Sequence, residues 1–439
     1  MKHELLGTSF ACECGRTHRV PICAIEYRED ACACLPDLFK RYAPGSRLTL
    51  LADTRTWAAA GEKAAAAMAA AGWTVAVIRL PDSPGGGDPV CDDITRAWLD
   101  GRIPADTHAF LAVGSGVVND LVKWAASDRA APYLTLATAA SMNGYSSANI
   151  APAIRGVKRV VSGRAPFAVV ASPSVLAAAP WKLTSAGLGD VIAKPVSMTD
   201  WLINRLLFDE YFCPLCARLI RDLEPIYMNN PERLARREPA ALEALFMALL
   251  YSGLSMTLAD TSFPASGGEH MVSHVLDMKA MAEGRPHDYH GRQVGLGAIV
   301  SAALYERLAA LEKPVFRLLT EPTADAYWGD LSPVVEEEHA EKRKRAAGAV
   351  RRLNQPGVWE AVRAIIVQNA VSAARIKDCL RRSGAAHTLG AIGCSRQRFL
   401  EAFEHSHQIR ARYTVLDLAR AAGILPGAAA EITDKWLSE

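Results

Sequence analysis

The feature that most constrains this chain is a change of hydrophobic periodicity near residue 180. Before it, short apolar runs alternate with helical stretches. Arg47–Ala52 (RLTLLA), Trp73–Leu80, His108–Val113, Tyr133–Ala137 and Phe167–Ala171 each have the length and apolar content of a buried strand. An Ala-rich stretch after Asp53 reads as helix to about Gly72, and Pro81–Pro89 as a Gly- and Pro-rich loop. Strand, helix, strand at this rhythm predicts βαβ units, and so a parallel sheet with helices on its faces. Beyond Pro180, apolar residues recur at helical spacing through Ala240–Leu254, Val294–Leu311, Val334–Leu353 and Val358–Ser383, and strand-like runs nearly vanish. The expected organisation is an α/β domain over residues 1–178 and an all-helical domain over 179–439. Two domains is at the lower end of what this length allows at roughly 100–200 residues each.

Charge and composition narrow the function classes. Lys and Arg number 49 against 47 Asp and Glu, so the chain lacks the excess positive charge needed to coat nucleic acid or an anionic membrane. Half the residues are hydrophobic, which argues against a disordered chain. The start, MKHELLGTSF, lacks the apolar core of a signal peptide, and Glu62 and Lys63 interrupt the Ala-rich stretch, so neither export nor a membrane span is expected. The expectation is a soluble, cytoplasmic globular protein. In Glu336–Arg345 both signs are interspersed, which predicts a solvated helix face. The ten cysteines are expected as reduced thiols. Cys12-Glu-Cys14 with His18, and Cys213-Pro-Leu-Cys216, also have zinc-ligand spacing, although nothing in the sequence joins the two pairs.

Three motifs carry chemistry. Gly114-Ser115-Gly116-Val117-Val118-Asn119-Asp120 follows an expected strand and opens an expected helix. Glycines there let the backbone approach a pyrophosphate, and the helix start favours its charge. The third glycine of the common fingerprint is missing, so the same letters also suit an ordinary strand-to-helix turn. Asp53 ends an earlier strand, where a carboxylate can accept from a ribose 2′-hydroxyl or cap the next helix. Four of the 11 histidines (His270, His274, His287, His290) fall within 21 residues, His270 and His274 on one helix face. With Asp190 in GLGD they offer imidazoles and a carboxylate suited to a catalytic divalent metal, or a structural His pair.

Along nearly its whole length the chain resembles the sn-glycerol-1-phosphate dehydrogenases, within the iron-containing alcohol dehydrogenase, glycerol dehydrogenase and dehydroquinate synthase superfamily. The resemblance rests on CECGRTH, GSGVVNDLVK, TLATAASMNGYSS, GVKRVVSGRAPFAVVA, AAPWKLTSAGLGDVIAK followed by Asp200-Trp201, ASGGEHMVSH, YHGRQVG and IRARYTVLDLA, in that order. It implies a nucleotide-binding α/β domain, a helical domain and an active site in the cleft between them. It implies Asp190, His270 and His290 as ligands of zinc, iron or nickel, and His274 as a nearby proton relay. Gly114, Ser115 and Gly116 would hold the pyrophosphate of NAD or NADP, with Asn119 and Asp120 in the same motif; Thr138 and Ser141 would line the nicotinamide side, and Asp53 favours NAD. Lys158 and Lys194 are candidate partners for a substrate phosphate. A homodimer or larger homo-oligomer is implied as well.

The chain departs from the family pattern at two places. Asn143 stands in SMNGY where the substrate-facing segment usually has Asp, and Ser172 stands where the strand after GVK usually ends in Asp. Asn keeps the size and loses the charge, so it bears on substrate identity. The expected reaction is reduction of dihydroxyacetone phosphate to sn-glycerol 1-phosphate, or turnover of a related small polyol or phosphate ester. The alternatives are a dehydroquinate-synthase-like cyclase that recycles bound NAD, and a paralogue without turnover.

Overall fold

The computed structural model describes residues 5–83, 87–318 and 321–438. The middle of the expected Pro81–Pro89 loop and the first four residues lie outside them. The main sheet and the N-terminal hairpin are built from β1 (Ser9–Ala11), β2 (Thr17–Arg19), β3 (Ala24–Tyr27), β4 (Arg47–Asp53), β5 (Thr74–Leu80), β6 (Ala109–Gly114), β7 (Tyr133–Ala137) and β8 (Ala168–Ala171). β3 to β8 form one sheet in the order β3-β8-β7-β6-β4-β5, with every neighbouring pair parallel. β1 and β2 make a separate antiparallel hairpin. The five sheet strands expected from sequence are all present. The edge strand β3 was not anticipated, because AIEY is too short and too mixed to stand out.

Both faces of the sheet are covered, which is why its strands read as continuous apolar runs rather than alternating ones. Leu50, Leu111, Leu134 and Val170 pack with the helices Leu35–Tyr42 and Glu62–Ala70. Their chain neighbours Leu51, Phe110 and Tyr133 turn to the opposite face, against the helix Asp93–Asp100 and α1 (Gly116–Asp128).

Beyond the sheet strands the chain forms, among others, the helices α2 (Trp181–Ile192), α3 (Lys194–Phe208), α4 (Pro239–Ala259), α5 (Gly268–Ala282) and α6 (His290–Ala309). The chain forms two compact units: residues 1–187, 218–226 and 236–261, and residues 188–217, 227–235 and 262–439. They do not follow a single cut near residue 178, because α4 belongs with the sheet. Among the described residues α4 alone is long and apolar enough to cross a membrane, and 83% of its most apolar window is buried within the protein. Its hydrophobicity is that of a core helix. In the second unit α5 and α6 lie close enough that a Cβ on Gly297 would strike the Glu269 carbonyl. The charged run Glu336–Arg345 is solvated only in part, since His339 and Lys342 are buried and the Lys342 ammonium lies 3.4 Å from Asp417.

Candidate active site

The second unit gathers Asp190, His270, His274 and His290. Asp190 lies near the end of α2, His270 and His274 one turn apart on α5, and His290 at the first position of α6. The His270 ring lies 5.2 Å from that of His290, and His274 stacks on His290 at 5.3 Å. His270 Nε2 lies 3.5 Å from Asp190 Oδ1.

Each candidate imidazole ligand is held by its other nitrogen. His270 Nδ1 pairs with Glu269 Oε1 at 2.7 Å. His290 Nδ1 pairs with the Ser273 hydroxyl at 2.8 Å and lies 3.7 Å from Asp277 Oδ2. A metal-binding histidine ordinarily has this arrangement: the far nitrogen is fixed by a carboxylate or hydroxyl, which orients the ring and leaves Nε2 as donor. The carboxylate and two such imidazoles fit a divalent metal.

Electrostatics support this arrangement. Burial alone would raise the Asp277 carboxyl, but hydrogen bonds from His287 and His290 overcome it and hold the group far below the usual carboxylate range. Burial likewise works against an ionised Asp190, and the Lys194 ammonium, 3.0 Å away, reverses the balance. Burial and the positive charge of Arg410 keep His274 neutral, and among the described residues its Nδ1 has no hydrogen-bond partner.

Lys194 is not the solvent-facing lysine that a phosphate partner requires. It is 3% exposed, and its ammonium donates to Asp190 Oδ1 and to the Ala265 carbonyl, both at 3.0 Å. Its spacing of four residues from Asp190 on consecutive helical segments brings the two together, so it acts on the carboxylate.

The first unit holds the nucleotide candidates. From β4 the chain moves outward to β5, then returns to β6 on the other side of β4 and continues to β7 and β8. The carboxyl ends of β4 and β6 therefore flank a topological switch point, the place where open α/β sheets bind ligands. Asp53 ends β4 and Gly114 ends β6. A Cβ on Gly114 would lie 2.7 Å from Val118, so glycine is what allows α1 to start this close to the strand. Asp53 Oδ1 accepts from the Arg55 and Thr56 N–H groups at 2.7 and 2.9 Å, which makes it the helix cap. Thr138 follows β7, and its N–H donates to the Gly114 carbonyl at 3.2 Å. Ser141 lies 3.4 Å from the Tyr145 hydroxyl.

Other predicted residues of this unit serve the scaffold. Asn119 is fully buried and binds the Thr135 hydroxyl at 2.7 Å and the Gly144 carbonyl at 3.3 Å. Asp120 accepts from the Ala151 N–H and from the buried Lys123 ammonium, both at 3.2 Å. Together they hold the loop that carries Asn143, whose amide donates to the Ser252 hydroxyl at 3.3 Å. Lys158 is half-buried and sits opposite Ala153 in a short antiparallel ladder. Ser172 caps the helix Pro173–Ala178 and donates to Glu29 at 3.3 Å, so a carboxylate is still present beside that strand end.

Sequence reasoning missed Glu269, Ser273 and Asp277. The signal for Asp277 was available: 270, 274 and 277 lie on one face of a helix.

The iron-containing alcohol dehydrogenase family model matches residues 26–180. An NAD(P)+-linked glycerol-1-phosphate dehydrogenase of Bacillus licheniformis is 29% identical over 418 residues, covering 95% of this chain and 94% of its own. The enzyme of the same name from Bacillus velezensis is 32% identical over 264 residues, covering 60% of this chain and 67% of its own. Among solved structures, a glycerol dehydrogenase from Schizosaccharomyces pombe matches with a TM-score of 0.59 at 16% identity, covering 94% of this chain and 90% of its own. That likeness extends to the fold. With the relatives at this identity and coverage, the chain belongs to the glycerol-1-phosphate dehydrogenase family of the iron-containing alcohol dehydrogenases.

Proposed function

We propose that this chain reduces dihydroxyacetone phosphate to sn-glycerol 1-phosphate with NADH or NADPH, using a divalent metal held by Asp190, His270 and His290. The observation that carries this reading is the convergence of one carboxylate with two imidazoles fixed through their far nitrogens, in a chain of this family. A metal at these residues supplies Lewis acidity toward the substrate oxygen, and the nicotinamide carries the hydride.

The chain's own residues do the rest. Glu269, Ser273 and Asp277 hold the two imidazoles in the tautomer that leaves Nε2 to the metal. His274, neutral and stacked on His290, is in the state needed to accept a proton from an alcohol; in the reducing direction it would first take a proton from solvent and then give it to the product oxygen. Gly114, Ser115 and Gly116 would bind the pyrophosphate, with Thr138 and Ser141 toward the nicotinamide. Asp53 would take the ribose hydroxyls while remaining the helix cap. Arg55 lies 3.8 Å from Asp53, and a guanidinium there can balance a 2′-phosphate, which supports use of both nucleotides. Lys158 remains the candidate for the substrate phosphate, and a homodimer is part of the same reading.

The test is a panel of ketones and hydroxy compounds with NADH and NADPH, comparing wild type, His270→Ala and Asn143→Asp. Stoichiometric, metal-dependent NAD(P)H oxidation is expected with dihydroxyacetone phosphate and is lost in His270→Ala. Asn143→Asp keeps that activity, since the new carboxylate can accept from Ser252 in place of the amide donor. Absence of turnover at full metal occupancy refutes the reading, and regeneration of the nucleotide in every cycle points to the cyclase chemistry of the wider superfamily.

A further inference from the structure

The N-terminal hairpin brings together three metal-binding side chains that the dehydrogenase reading does not use. In β1 and β2, Phe10 lies opposite His18 and Ala11 opposite Thr17. The turn is closed by the Cys12 N–H donating to the Arg16 carbonyl and the Gly15 N–H donating to the Cys12 carbonyl, both at 2.9 Å. Gly15 has φ +84°, a left-handed conformation that glycine adopts without strain, and it turns the chain back directly after Cys14. Glu13, between the two cysteines, is paired with Arg218.

The outcome is a cluster in which the ligand atoms of Cys12, Cys14 and His18 lie within 4.8 Å of one another. Cys14 Sγ is 3.3 Å from His18 Nε2, and His18 is only 3% exposed. Around tetrahedral zinc, the usual bond lengths place neighbouring sulfur and nitrogen donors about 3.5–3.8 Å apart. The Cys14–His18 pair therefore has nearly the spacing a zinc ion imposes, and the Cys12 sulfur lies within 4.8 Å of both.

The donor set decides the class of ion. Two thiolates and an imidazole select zinc over magnesium or calcium, which take oxygen ligands. The Asp190, His270 and His290 site contains no thiolate, so the two sites are chemically distinct. Such an ion would also stabilise the hairpin. Its strands are three residues each, and an isolated two-stranded hairpin is at best marginally stable in water.

We propose that Cys12, Cys14 and His18 bind a structural zinc ion that staples the N-terminal hairpin, with one tetrahedral position left for a fourth donor. The experiment is cobalt substitution of the full-length protein, read by absorption and by metal content per chain. Wild type is expected to show thiolate-to-cobalt charge-transfer absorption, and His270→Ala to retain it, because the active-site residues contribute no sulfur. The double variant C12S/C14S should lose the absorption together with one metal equivalent, whereas His18→Cys should keep both. A wild-type cobalt spectrum without thiolate absorption overturns the proposal, as does unchanged metal content in C12S/C14S. A Cys12–Cys14 disulfide in protein purified under reducing conditions overturns it too. If the double variant does not fold, Cys14→Ser alone decides: a weakened thiolate absorption relative to wild type supports the site, and an unchanged spectrum overturns it. None of these readouts depends on turnover, so they stand apart from the test of dehydrogenase activity.

Discussion

At the scale of single residues, two buried carboxylates in the second unit are held in opposite states. Asp277 is kept ionised by His287 and His290, and through His290 it acts on the candidate metal site. Asp277→Asn keeps the shape and removes the charge, and should weaken metal binding by about 10–100-fold. Chelator competition measures this, and an affinity equal to wild type would refute the positioning role. Asp200 is the opposite case. Burial, and then the nearby Glu269, push its carboxyl up from 3.8 to about 7, although it accepts from the Tyr305 hydroxyl and the Gly268 and Val415 N–H groups. An acid whose pKa is raised on folding contributes stability that is fully present below its unfolded pKa and is lost as pH rises through the folded one. Between pH ~4 and ~7, wild type should therefore lose stability relative to Asp200→Asn, by at most about 4 kcal/mol. Denaturant unfolding across that window checks it. The opposite slope would mean that the three donors, together with the positive charge of Arg412, outweigh burial.

At the scale of elements, α4 and the loop after β7 are mutually dependent. The Ala148 N–H donates to the Thr257 hydroxyl at 3.0 Å, and the Ser146 hydroxyl donates to the Leu250 carbonyl. A Cβ on Gly253 would overlap the Asn143 carbonyl and the Ser146 hydroxyl and lie 3.1 Å from the Ser147 nitrogen. Backbone cannot step aside as a long side chain can. Gly253→Ala should therefore destabilise the protein by about 1–3 kcal/mol, the usual cost of overpacking, and displace Asn143. Thermal unfolding reads the first effect and KM for the ketone the second. An unchanged melting temperature would show that the loop yields. The expected sheet strands were legible in the sequence because a doubly covered parallel strand leaves an unbroken apolar run. The hairpin β1–β2 and the strand β3 were not, because they are short and mostly half-exposed and leave no such run.

At the scale of the molecule, nucleotide and metal candidates belong to different compact units. Nucleotide binding and chemistry should then separate: His270→Ala is expected to bind NADH with wild-type affinity in a fluorescence titration while losing turnover. A large loss of NADH affinity would contradict this division. The near balance of 49 basic and 47 acidic residues also gives the molecule no strong overall field, so attraction of a phosphate ester must come from local groups. Lys194 does not serve, since its charge is committed to Asp190.

The sequence by itself determined the α/β-to-helical order, the strand ends that carry Asp53 and Gly114, and the residue types of the candidate metal site, because periodicity and motif spacing are local properties. Only the tertiary structure decided which side chains finish the chemistry. Glu269, Ser273 and Asp277 matter through what they touch. Asn119 and Asp120 turn out to hold a loop, and α4 falls in the same compact unit as the sheet although it lies far beyond the sheet in sequence. Such roles depend on contacts between segments distant in the chain, and no local pattern encodes them.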